Sequence, residues 1–142
     1  MSGVRFLVIP LFALLLATAA CWSDQNLGVL KPDKVSTFTL YGEVPSTWNI
    51  AVRPNIKYEV NLQNTSRDYP LTETAIYMLI AVYKGDNKPI YLDASITFSE
   101  YGAHLEFTVP NGFSLVTLSV GSKTGEGTKS YGSFTVELAE LN

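Results

Sequence analysis

The sequence predicts an all-β fold, a two-sheet antiparallel β-sandwich behind an export leader. Three observations predict it. Apolar and polar residues alternate with period two from Val35 onward, clusters of Gly, Pro and Asn break that alternation at short intervals, and no stretch carries a capped apolar stripe of helical period. Side chains on a strand point alternately to the two faces of a sheet, so a sheet buried on one side must read in this way.

The first element, residues 1–20, reads as a signal peptide. One basic residue, Arg5, precedes an apolar run from Phe6 through Leu16 that only Pro10 interrupts, and the small residues Ala17, Thr18, Ala19 and Ala20 follow. A charged start, an apolar centre too short to span a bilayer and a small-residue cleavage zone are the three parts of such a signal. Cys21 comes next and is the one cysteine of the chain. Small residues directly before a cysteine resemble the bacterial lipobox, whose cysteine is diacylated, although Thr18 stands where that motif has Leu. Ordinary cleavage and lipidation at Cys21 are both carried forward. Residues 21–34, with Gly28 and Pro32 and little periodicity, read as a leader or linker to a domain over 35–142.

Within that domain, Phe38 and Leu40 oppose Thr37, Thr39 and Tyr41. Ile56, Tyr58, Val60 and Leu62 oppose Lys57, Glu59, Asn61 and Gln63. The pattern returns at Leu105, Phe107 and Val109 against His104, Glu106 and Thr108, and again at Phe134, Val136 and Leu138 against Thr135 and Glu137. Ala75 to Tyr83 and Phe113 to Val120 are apolar on both faces and read as central strands. Turn chemistry separates these runs at Gly42–Pro45, Arg53–Asn55, Asn64–Pro70, Lys84–Asn87, Tyr101–Gly102, Pro110–Gly112 and Gly121–Gly127. Lys84–Asn87 reads as a hairpin loop leading to Pro89–Asp93, and Gly121–Gly127 as another hairpin loop at one end of the sandwich. Seven to nine short strands in roughly 110 residues resemble immunoglobulin or fibronectin type III domains at the level of fold. The cysteine pair of antibody domains is absent.

Removing Arg5 with the leader leaves nine basic residues against thirteen acidic ones, and the lysines are scattered. This excludes nucleic acid and anionic lipid as main partners, since both ask for a basic stripe. Membrane association is expected only through a lipid on Cys21 or through a partner. A single cysteine rules out an internal disulfide, which fits a bacterial envelope, a protist or the endoplasmic reticulum lumen better than a stapled extracellular module. The expected location is the secretory pathway, as a secreted or lumenal protein, with the bacterial cell envelope as the alternative. Asn64-Thr65-Ser66 is a sequon, making Asn64 a candidate for N-glycosylation in a eukaryotic source.

No catalytic, metal or cofactor signature emerges. His104 is the sole histidine and reads as a solvent-facing strand residue; the usual nitrogen and sulfur set for zinc cannot be assembled. Glu100, Glu106, Asp86 and Asp93 offer carboxylates, but nothing in the sequence sets two of them across a cleft. The stretch Gly121 to Ser130 superficially resembles a phosphate loop, yet Glu126 stands where its second glycine belongs.

What remains is aromatic: Trp48, Tyr77, Tyr83, Tyr91, Tyr101 and Tyr131, together with Tyr69. The preferred reading puts most of them in the core of a small sandwich, and the alternative is an exposed row that grips a sugar ring or a partner surface. The expected function is therefore a non-catalytic exported domain that binds another macromolecule, a protein partner, through loops or an edge strand. The rival readings are a carbohydrate-binding module whose glycan ligand sits on those aromatics and an envelope lipoprotein held at Cys21.

Overall fold

The computed structural model describes residues 25–42, 44–67, 76–83, 88–123 and 130–141. They form two five-stranded sheets. In the first sheet the order is β1 (Gln25–Val29), β3 (Ser46–Ala51), β9 (Leu115–Ser122), β5 (Ile76–Tyr83) and β6 (Pro89–Tyr91). In the second it is β2 (Val35–Tyr41), β10 (Ser130–Leu141), β4 (Lys57–Asn64), β8 (Gly102–Thr108) and β7 (Ala94–Phe98). All pairings are antiparallel except that of β1 with β3. The all-β sandwich predicted from alternation is the fold observed.

Alternation decides the core. Trp48, Ile50, Ile76, Met78, Ile80, Val82, Val116, Leu118 and Val120 point inward from the first sheet and are buried. Phe38, Leu40, Tyr58, Val60, Leu62, Leu105, Phe107, Phe134, Val136 and Leu138 meet them from the second. The Phe38 ring joins the layers, standing edge-on to Trp48 at 4.7 Å and stacked on Phe134 at 5.5 Å. Each such side chain contributes about 1.5–3 kcal/mol on leaving water, which is how a domain without disulfides holds its two sheets together.

Two local readings change. Gln25–Val29, expected to be aperiodic leader, is a strand paired in parallel with β3, and Leu30 behind it is buried at 1% exposure. Five residues with one apolar anchor are too few for periodicity to register, and Gly28 at φ 93° disrupts the alternation further. Gly121–Gly127 does not close a hairpin, because β9 and β10 lie in opposite sheets. Turn residues mark a reversal but carry no information about which sheet the next strand joins. By contrast Tyr83 pairs with Pro89 across β5 and β6, as a hairpin there requires.

Candidate functional site

The two outer faces of the sandwich differ in chemistry. On the first sheet, cross-strand partners place Tyr91, Ala81, Thr117 and Asn49 in one row, and Leu79, Ser119 and Thr47 in the next. Tyr77 lies beside Gly121, and Leu115 beside Ala51. None of these residues is charged. Leu79, Tyr83, Tyr91 and Leu115 are 38%, 51%, 61% and 53% exposed, so large apolar groups meet water from β9 to the edge strand β6.

One contact on this face is unusually close. A Cβ at Gly121 would lie 2.2 Å from both Cζ and Oη of Tyr77, so the tyrosine ring lies flat across the glycine backbone of the neighbouring strand. The glycine supplies the floor on which the ring is half-buried.

The outer face of the second sheet is polar and charged. Glu59 and Glu106 are direct cross-strand partners on β4 and β8, as are Asn61 and His104. His104 Nδ1 lies 2.6 Å from Asn61 Oδ1, while Nε2 lies 3.3 Å from Glu106 Oε1 and 3.5 Å from Glu59 Oε2. Lys57 Nζ reaches the other Glu106 oxygen at 3.2 Å. The Glu106 carboxyl is held below its ordinary range, first by His104 and then by Lys57. Beside the imidazole a cleft of about 190 Å³ is lined from β4, β7 and β8, with Gln63, Thr97 and Ser99 among its lining residues.

The structure divides the aromatic set named from sequence. Trp48 is 2% exposed, and its ring is a core element that no ligand reaches. Tyr83 and Tyr91 are exposed, against the preference for core, because inward positions on β5 are already filled by Ile76, Met78, Ile80 and Val82. Tyr77 shares their face and is half-buried over Gly121. Tyr101 stands apart at the β7–β8 turn, with the Arg67 guanidinium 5.5 Å from its ring centre. Tyr131 belongs to β10, with its side chain outside the description, and Tyr69 and Cys21 lie outside the described residues.

Asn64 is 2% exposed, and its Oδ1 accepts hydrogen bonds from Ser66 Oγ at 2.7 Å and the Arg67 amide at 3.1 Å. N-glycosylation would join the sugar at Nδ2, not at the Oδ1 that accepts both bonds. Through these two bonds the side chain holds the loop after β4. Of the carboxylates named from sequence, Asp86 lies outside the described residues, and among the rest Glu106 enters a cluster. Its companion Glu59 went unnoticed because nothing local in the sequence pairs β4 with β8.

No protein-family model matches the chain, and no curated protein sequence does. Solved structures do. CorA of Methylomicrobium album BG8, described as a surface-associated copper-binding protein, superposes with TM-score 0.54 at 7% identity, over 84% of this chain and 100% of CorA. The pre-peptidase C-terminal domain of Bacillus anthracis collagenase gives TM-score 0.48 at 9% identity, over 82% and 93% of the two chains. The Aeromonas hydrophila periplasmic inhibitor of g-type lysozyme gives 0.48 at 9% identity, over 83% and 99%. The likeness is one of fold. All three are β-sandwich domains.

Proposed function

We propose that the chain is an exported, non-catalytic β-sandwich domain that binds a protein partner through the outer face of its first sheet, from β9 across β5 to the edge strand β6. One observation carries this reading: among the described residues, the strands of this face carry no charged side chain, and Leu79, Tyr83, Tyr91 and Leu115 stay exposed on it. Exposed apolar groups that cluster in this way mark interaction surfaces, and Tyr is enriched at their energetic centres. The edge strand adds unpaired backbone groups beside the patch. Export rests on the pattern of residues 1–20, with location in the secretory pathway or a bacterial envelope.

The test is a photoreactive amino acid placed at Tyr91 in the native host. A defined crosslinked protein is expected, and Leu79→Glu should weaken its capture at least about tenfold, because a carboxylate must then be desolvated in the interface. Circular dichroism should show the variant folded. Equal crosslinking from Thr135 on the opposite sheet, or none from Tyr91, overturns the proposal. Capture of a glycan instead of a protein by the same face would favour the carbohydrate-binding alternative, with Tyr83 and Tyr91 as its platform.

A further inference from the structure

We infer that Glu59, His104 and Glu106 form a binding site for a divalent metal ion of zinc type on the outer face of the second sheet. The first argument concerns donors and acceptors. Asn61 presents its amide oxygen to His104 Nδ1 at 2.6 Å, and an amide oxygen only accepts, so Nδ1 carries a proton. In the neutral ring Nε2 then bears a lone pair, and that lone pair faces the Glu59 and Glu106 oxygens at 3.5 and 3.3 Å. Three acceptors converge on one space with no hydrogen to share. A positive charge at that point resolves the arrangement, either a second proton on the ring, paired with both carboxylates, or a metal ion held by all three groups.

Distance is the second argument. Zinc bonds of about 2.0–2.2 Å to imidazole nitrogen and carboxylate oxygen, arranged as a tetrahedron, separate neighbouring ligand atoms by roughly 3.3–3.6 Å. The two separations from Nε2 fall in that interval, and all three ligand atoms lie within 4.8 Å of one another. Two carboxylates balance the charge of a dication, and the imidazole favours zinc or copper over calcium or magnesium.

The third argument is rigidity. The ligands stand on two adjacent, internal strands whose register sets Glu59 opposite Glu106 and Asn61 opposite His104. Asn61 is therefore a positioning residue that fixes the tautomer and orientation of the imidazole, as outer-shell partners of metal-bound histidines do. The site is half-exposed, with side-chain exposures of 34% for His104, 23% for Glu59 and 31% for Glu106, so its remaining coordination position faces solvent. Water, or a donor from a partner, would complete it. Lys57 works against metal binding by engaging the second Glu106 oxygen.

Because His104 is the only histidine, its ring protons report on the site without ambiguity in proton NMR. The experiment titrates the full chain with zinc chloride, alongside a Cys21→Ser variant that removes the only thiol. One equivalent should shift the His104 resonances in both proteins, and calorimetry should give the same stoichiometry. His104→Ala and Glu59→Gln should each weaken binding at least about tenfold, with Asn61→Ala costing roughly 10–100-fold. Lys57→Met should tighten binding, a direction that a merely structural role for the cluster does not produce. Circular dichroism checks that each variant is folded. His104 resonances unmoved by millimolar zinc would mean that the cluster holds a proton only and would sink the inference. So would zinc binding that vanishes with Cys21→Ser and survives His104→Ala.

Discussion

Alanine at Gly121 gives the sharpest test of how the outer face of the first sheet is built. The new Cβ would lie 2.2 Å from the Tyr77 ring, whereas ordinary contact begins near 3.4 Å, so the ring must retreat by about 1.2 Å. Overpacking of this kind costs about 1–3 kcal/mol. Against this, exchanging glycine for alanine in a strand gains about 0.5–1 kcal/mol by restricting the unfolded chain. The net expectation is a loss of about 1 kcal/mol in the native background. With Tyr77→Ala already in place the obstruction is gone, and Gly121→Ala should stabilise by about 0.5–1 kcal/mol. The sign reverses, giving a coupling energy of about 1–3 kcal/mol in a double-mutant cycle. Urea unfolding of the four proteins, followed by far-ultraviolet circular dichroism, measures it. An equal effect of Gly121→Ala in both backgrounds would refute the claim that the glycine exists to seat this ring.

Trp48→Ala should lose about 3–5 kcal/mol, since the ring is 2% exposed and stands edge-on to Phe38 at 4.7 Å; a change under about 1 kcal/mol in the same assay would contradict its core position. Any glycan or partner binding lost in that variant would therefore report on unfolding, and Tyr91→Ala is the informative substitution. Asn64→Ala should cost about 1–3 kcal/mol by stranding the Arg67 amide and the Ser66 hydroxyl, and loss should concentrate in faster amide exchange at Arg67, read by NMR.

The fold was legible because alternation is a local property. Tyr58, Val60 and Leu62, or Phe134, Val136 and Leu138, declare their buried face within one strand, whatever lies beside them. Topology was not legible to the same degree. Gly121 to Gly127 carries turn chemistry whether its strands pair with each other or cross between sheets, and β9 and β10 cross. The aromatic positions were half legible: alternation put Tyr77 and Tyr83 on the face opposite Ile76, but it could not say whether another layer covers that face. The inner space is already filled by residues from both sheets, so Tyr83 and Tyr91 remain outside. The Glu59, His104 and Glu106 cluster was illegible, because it exists only through the register of β4 against β8, two strands separated in sequence by β5, β6 and β7.

That register also explains why one domain can carry two unlike surfaces. Every second residue of β4 and β8 must face outward, and the sequence puts Lys57, Glu59, Asn61, His104 and Glu106 there, so charge gathers on the second sheet. The outward positions of β5 and β9 receive Tyr77, Leu79, Ala81, Thr117, Ser119 and Gly121, so the first sheet stays uncharged. Sheets in a sandwich are about 10 Å apart, and the apolar core between them shares no side chain with either outer face. Substitutions on opposite faces have no common partner and their effects should add. The two surfaces are accordingly free to serve separate ligands, the protein partner proposed for Leu79 and Tyr91 and the metal ion proposed for His104.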